Sequence, residues 1–272
     1  MSTAAPPNVN ELVARLQTCL KSMEQFDNAE ILPAVKSVQS LSPTDRDQCF
    51  IGTYYRAVAN VRTTLALNHP KHFQAIAMLA RTNIELAMDI RLLSMIPQAP
   101  EKMIAGEKSE KLRVAQKIVE FATKSGTAVH DLTTYQTFIA NEEANILALR
   151  QQLWGTQKPQ DHWSTMKVRE RAVLLKAPFE ELYEIKYRHL SWQVHSGLTG
   201  VLGQPAATFE VMCGDAFGIA MECYEQVLDA MITEYQIQKA DPKIHNKLKY
   251  ARVVPFTDGE NQRAALEREL LG

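Results

Sequence analysis

The chain has 272 residues, of which 46% are hydrophobic and 22% are charged, a balance typical of a folded globular protein and too apolar for general disorder. Its 30 basic and 31 acidic side chains give a net charge of -1, which argues against a protein whose whole surface binds duplex nucleic acid but leaves room for a local basic groove. The four cysteines form no C-x-x-C pair, which indicates free thiols rather than a disulfide framework.

Targeting signals are the next class of feature that the sequence bears on. The opening residues lack a basic segment followed by an uninterrupted apolar run, so we expect no signal peptide. The most apolar stretch, residues 76–96, carries several charged side chains, which disfavours a membrane span. We therefore expect a cytoplasmic protein without membrane association.

Apolar residues recur at helical spacing along nearly the whole chain, and no alternating strand pattern is bounded by turn residues. The predicted fold class is all-α, a bundle of about seven to eight helices. A helix after the stretch "SPT" is expected to begin with Ser42 or Thr44 as its N-cap and to end near Asn68. The other helices are predicted over about residues 9–26, 71–96, 107–124, 133–154, 168–175, 178–195 and 206–237.

The predicted organisation has three parts. Residues 1–41 form an N-terminal helix and its connection, residues 42–240 the helical bundle, and residues 241–272 a polar C-terminal extension with a separate helix over 258–271. The basic stretch 239–252 could follow a phosphate backbone, but we interpret it as a solvated tail.

The predicted third helix contains "HFQAIAMLARTNIELAMDIRLLSMI", which is apolar around nearly its whole circumference and is therefore expected at the centre of the bundle. Arg81, Glu85 and Asp89 follow one another at steps of four and form a polar stripe on it. Burying such charges is costly without partners, so polar groups must lie opposite. Two interpretations are open: a structural ion network that includes an Arg81–Glu85 pair, or a functional site.

A second polar group ends a later helix, in the stretch "YRHLSWQVHSG". Arg188 and His195 are seven residues apart, an offset of about 20° on an α-helix, so we expect them on one face with Glu184 and Ser191. Tyr183 and Tyr187 are expected beside that face. Helix capping alone would also explain a histidine followed by Ser196 and Gly197, because a cation and a glycine both suit a helix C-terminus.

Three stretches together resemble a bacterial family of all-helical proteins without settled function: "AMLARTNIELAMDIRLL", "DHWSTMKVRERA" and "YEIKYRHLSWQVHSG". The family pattern is an Arg and a Glu four apart on an apolar helix, a Trp loop, and a helix end of the form Y-x3-YR-x-L-S-x3-H. More distantly, the helix end is similar to the HEPN superfamily, which includes metal-independent ribonucleases of toxin and phage-defence systems. Those enzymes carry an Arg, usually a polar residue next, and a His after four to six intervening residues; here six residues lie between Arg188 and His195.

The HEPN resemblance implies an HEPN-like core and a homodimer in which two copies of the helix end border one cleft that holds RNA. It also implies that Arg188 binds the phosphate, that His195 transfers protons, and that Ser191 or Tyr187 orients the phosphate. A helix C-terminus favours protonated imidazole, so His195 suits the acid, and His189 or a second protomer's His195 would be the base.

The expected supporting polar cluster joins both stretches: Arg81, Glu85, Asp89, Glu184, Tyr187 and His189. We expect no metal site and no cofactor, since the seven histidines form no H-x3-H or E-x2-H pair on one helical face. The competing hypothesis is a non-catalytic helical protein that binds or regulates a protein partner, such as an antitoxin or a scaffold.

Overall fold

The computed structural model describes residues 9–155, 162–194 and 206–272, and these residues confirm the all-α prediction. Helices follow one another throughout, and no strand occurs within the described ranges. None of the helices in those ranges is long and apolar enough to cross a membrane. The chain divides into two compact units: residues 1–94 with 171–272 form unit 1, and residues 95–170 form unit 2.

Unit 1 contains four helices from the first part of the chain and six from the second. The first four are α1 (Val9–Phe26), α2 (Leu32–Ser40), α3 (Asp45–Ala66) and α4 (Phe73–Met95). Unit 2 contains α5 (Ala99–Ser125) and α6 (Leu132–Trp154), and α7 (Val168–Leu175) begins at its end and continues into unit 1. The remaining helices of unit 1 are α8 (Phe179–Glu181), α9 (Arg188–Val194), α10 (Ala206–Glu234), α11 (Ile237–Ala240), α12 (Ile244–Val253) and α13 (Glu260–Leu271).

Helix α4 occupies the position that its composition predicts. It is buried on nearly every side, with apolar residues such as Ile76, Ile84 and Ile90 having no exposed surface. Its few polar side chains are connected to other helices: Asn83 accepts a hydrogen bond from Asn60 of α3 at 3.0 Å. The prediction of a central helix is confirmed, and the fold therefore has to provide partners for the charged stripe on it.

Two short π-helices interrupt the α-helical pattern. The first, π1 (Asp27–Ile31), continues α1 and places the buried carboxylate of Asp27 between two tyrosines. The hydroxyl groups of Tyr54 and Tyr224 donate to its two oxygens at 2.6 and 2.8 Å. Burial raises the pKa of Asp27, and the two hydrogen bonds oppose that rise. This carboxylate joins three helical segments that are far apart in the chain.

The second π-helix, π2 (Leu182–Tyr187), lies between α8 and α9. Leu182 and Tyr187 are both buried, although five residues apart on a regular α-helix they would point about 140° apart. The wider π turn brings both side chains towards the interior. Regular helical spacing does not predict this change of register.

Helix α3 begins at one of the two N-cap residues that the sequence predicts. Thr44 is the N-cap of α3, and its side chain forms a reciprocal capping box with Asp47, which confirms one of the two predicted caps.

The interpretation of residues 239–252 as a solvated tail is wrong, because Ile244, Leu248 and Ala251 of α12 are buried and α12 packs against α1. Lys247 in the same helix pairs with Glu30 and Asp241, so its ammonium is already neutralised.

Unit 2 is built around the pair α5 and α6, which pack against each other along their length. Gly126 ends α5 in the left-handed conformation that glycine favours at a helix end. The end of α6 is joined to Trp163 by a hydrogen bond, because the Trp154 indole donates to the Trp163 carbonyl at 3.1 Å, and Trp163 in turn lies against Gly106 of α5. Both tryptophans are buried, so neither presents a ring for stacking on a base.

Candidate functional site

The cation that pairs with the polar stripe on α4 is Arg171, a residue that the sequence did not single out. Arg171 is the first residue of the second segment of unit 1. Arg171 lies on α7, and its side chain is only 3% exposed. Its Nη1 donates to Asp89 Oδ1 at 2.8 Å, and its Nη2 lies 3.9 Å from Glu85 Oε2. Since Asp89 is itself only 14% exposed, this ion pair is almost removed from water.

Tyr187 of π2 contacts two residues of the same stripe. Its hydroxyl donates to Glu85 Oε1 at 2.7 Å, and its ring lies under the guanidinium of Arg81, with Arg81 Cζ 4.9 Å from the ring centroid. Arg81 Nε is also 3.6 Å from Glu85 Oε1, so the predicted pair within α4 forms with a long distance. Burial, and then the hydrogen bond to Glu85, raise the pKa of Tyr187 to about 12. The tyrosine therefore stays protonated and acts as a hydrogen-bond donor at neutral pH.

These five residues, Arg81, Glu85, Asp89, Arg171 and Tyr187, are called the anchor cluster below. It contains two guanidinium groups and two carboxylates, so its formal charges balance. It connects three segments of unit 1: α4, α7 and π2. Such buried ionic networks hold elements in a fixed register, because removing one charged member weakens the compensation of its partners.

The helix end beyond π2 points its polar side chains away from the anchor cluster. The Arg188 side chain is 67% exposed, whereas its neighbour Tyr187 is 7% exposed. Arg188 Nη1 lies 3.4 Å from Glu184 Oε2, which is long for an ion pair. His189 and Glu184 are also exposed. Of the residues expected to join the two polar stretches, Tyr187 contacts the stripe on α4. Arg188, His189 and Glu184 are exposed to solvent instead.

Ser191 has a structural hydrogen bond in this arrangement: its hydroxyl donates to the carbonyl of Tyr187 at 2.8 Å. Such bonding to the preceding turn is common for serine within a helix. His195 lies outside the described residues, so its shared face with Arg188 stays a prediction. Between them, Ser191 and Tyr187 fix the start of α9, the helix that carries Arg188.

The sequence contained a signal for Arg171 that helical periodicity does not capture. Two carboxylates on a buried helix require a cation, and the stretch "DHWSTMKVRERA" supplies three basic residues after its tryptophan, Lys167, Arg169 and Arg171. Arg171 precedes the fully buried Ala172, whereas Arg169 is exposed. Nothing local in the sequence distinguishes the two arginines, because Asp89, the partner of Arg171 on α4, is 82 residues away in the chain.

The family to which the protein belongs follows from a match that covers residues 47–203, more than half of the chain. The chain belongs to the DUF5677 family, a family of unknown function. All five residues of the anchor cluster, the π2 segment and the helix end from Arg188 to His195 fall inside the matched range. Helices α1, α12 and α13 fall outside it. No curated protein and no solved structure matches the chain.

Membership of DUF5677 confirms the resemblance to a helical family without settled function. The HEPN resemblance is a finer statement about the same helix end, and it enters the proposals below. Within the residues that the structure describes, no three His, Cys, Asp or Glu side chains come together as a group that could hold a metal ion.

Proposed function

We propose that this DUF5677 protein is a metal-independent endoribonuclease with an HEPN-like site, active as a homodimer. The observation that carries the proposal is the pairing of an exposed Arg188 guanidinium with a firmly held helix start, since Tyr187 next to it is fixed to α4 by Glu85 and Arg81. An exposed arginine on a rigid element can clamp a phosphate through two parallel hydrogen bonds. Its 3.4 Å pair with Glu184 is weak enough to be exchanged for a phosphate.

The chemistry that we propose is an internal transesterification of RNA. The 2'-oxygen attacks phosphorus and forms a new P–O bond, and the bond to the 5'-oxygen breaks, which leaves a 2',3'-cyclic phosphate. A base takes the proton of the 2'-hydroxyl and an acid gives a proton to the departing 5'-oxygen. His195 is the acid in this scheme, His189 or the partner subunit's His195 is the base, and Arg188 stabilises the charge that develops on the phosphate.

The test is cleavage of a short single-stranded RNA that carries a fluorophore and a quencher, measured in EDTA with the full chain. We expect Arg188→Ala and His195→Ala to lower the cleavage rate by about 100-fold or more, the usual loss when a charge-stabilising or proton-transferring group is removed. Arg56→Ala is the matched control, because Arg56 is also an exposed arginine on a helix of unit 1 but lies far from the helix end in sequence. Wild-type expression should arrest growth, and the same two substitutions should relieve it.

A second candidate is a non-catalytic protein that binds or regulates a partner, such as an antitoxin or a scaffold. The balanced charges of the anchor cluster favour it, because a network whose carboxylates are already bonded has a sufficient structural role. This candidate predicts that no purified preparation cleaves RNA and that a protein partner co-purifies with the wild type. Cleavage or growth arrest that is equal in the wild type, Arg188→Ala and His195→Ala would reject the ribonuclease proposal.

A further inference from the structure

A groove in unit 1 lies on a different set of residues from the helix end. It is a cavity of about 410 Å³ lined by α1, by α8 with π2, and by α10. This volume is at the lower end of the range of small-molecule sites, which is about 300–1,000 Å³. Most of the walls are apolar, and the residues that form them are Leu12, Leu16, Leu182, Val211, Ile219 and Met221.

Two glycines on α10 keep the groove open. Gly214 and Gly218 are four residues apart and both line it. A Cβ atom added to Gly218 would meet nothing within 4 Å, and one added to Gly214 would make only an ordinary contact, at 3.5 Å, with Val13. Glycine inside a helix is less stable than alanine, so packing does not explain these residues. Because neither residue has a side chain, the helix backbone itself lines this part of the groove, and a ligand can approach it closely.

The charges along the groove are predominantly negative. Lys186 Nζ pairs with Asp215 Oδ1 at 2.7 Å, which neutralises both. Glu181 and Glu222 also line the groove, and neither forms a hydrogen bond or an ion pair with any residue that the structure describes. Burial raises the pKa of Glu222, and the Glu181 carboxylate adds to the rise, although Arg252 and Lys186 oppose it. Arg252 itself is hydrogen-bonded to Glu225.

We propose that this groove binds a small amphipathic cation, a primary ammonium carried on a short alkyl chain or a single aromatic ring. The ammonium would lie at Glu222 and Glu181, where it supplies an opposite charge to the partly buried Glu222 carboxylate and to the exposed Glu181 carboxylate that also lines the groove. The apolar part would lie over Gly218 against Leu16 and Leu182. An anion would be repelled by these two carboxylates, and a neutral chain would supply no charge opposite to theirs. The proposal does not depend on ribonuclease activity.

The experiment compares three probes of equal length on the full chain by NMR titration at pH 7: hexylamine, 1-hexanol and hexanoate. Hexylamine is protonated at this pH, as lysine is. We expect hexylamine to bind about tenfold or more tightly than hexanol, and hexanoate to bind least, because a charge-assisted hydrogen bond is roughly twice as strong as a neutral one. Glu222→Gln should reduce the preference for hexylamine over hexanol by about tenfold, and Glu180→Gln, an exposed neighbour outside the groove, should leave it unchanged.

Gly218→Leu tests the location of the site independently of charge. Leucine is a better helix former than glycine and its Cβ has free space, so the melting temperature should stay the same or rise while binding of all three probes is lost. Equal binding of hexylamine and hexanol would overturn the proposed cation, and unchanged binding in folded Gly218→Leu would overturn the proposed place. Binding of none of the probes to the wild type would reject the site altogether, whatever the outcome of the ribonuclease assay.

Discussion

Replacing Arg171 with methionine removes the most buried charge of the anchor cluster while keeping much of the side-chain volume. Asp89 then loses its 2.8 Å partner at a position where only 14% of its side chain is exposed, and Glu85 loses the nearby positive charge. Breaking a buried ion pair by removing one partner costs about 3–5 kcal/mol. Total unfolding free energies are about 5–15 kcal/mol, so the variant should lose about a fifth or more of its stability. For domains of about 150–250 residues this corresponds to a fall in Tm of about 6–20 °C.

The assay is urea unfolding followed by circular dichroism, with Arg188→Met as the control. Arg188 receives the same substitution at a site that is 67% exposed, where the change in free energy of unfolding should stay within about 0.5 kcal/mol. The double variant Arg171→Met with Asp89→Leu removes both charges, so it should recover at least half of the lost stability, since paired apolar replacements of buried ions are often close to neutral.

Three results would refute this reasoning. A loss below about 1 kcal/mol in Arg171→Met would show that the pair is as well solvated as a surface ion pair. A double variant that is less stable than Arg171→Met would show that Asp89 is stabilising for a reason other than Arg171. Equal losses in Arg171→Met and Arg188→Met would mean that the two arginines do not differ in environment, against the burial that the structure gives them.

Two further predictions concern local features of unit 1. Thr44→Ala should lower the free energy of unfolding by about 1 kcal/mol because it removes the cap of α3, whereas Thr44→Ser should keep most of it; equal losses in both variants would contradict the capping role. Burial raises the pKa of Asp27, so the folded state keeps this proton to higher pH than the unfolded state does. The stability of the wild type relative to Asp27→Asn should therefore fall as pH rises from the ordinary carboxyl pKa of 3.8 through the folded value. A stability difference between the two proteins that does not change with pH would contradict this prediction.

Helix positions were predictable because they depend on neighbours in sequence. The apolar surround of α4, the Thr44 cap and the Gly126 helix end all follow from residues within one or two turns. The partner of the stripe was predictable only as a requirement: buried carboxylates need a cation, but nothing local identifies Arg171. The π2 segment was not predictable from spacing, because it changes which residues share a side. It lets Leu182 and Tyr187, five residues apart, both face the interior.

Tyr187 and Arg188 are neighbours in the sequence but have different roles, because one is buried and the other is exposed. Tyr187 belongs to the anchor cluster and its loss acts on folding, whereas Arg188 contributes little to folding and is free to bind a ligand. An activity that is lost in Arg188→Ala therefore cannot be attributed to a collapsed helix, provided that the variant melts as the wild type does. The same comparison fails for Arg171, because a variant of that residue loses stability and activity together. Arg188 is thus the residue at which the proposed ribonuclease activity can be tested without disturbing the fold that presents it.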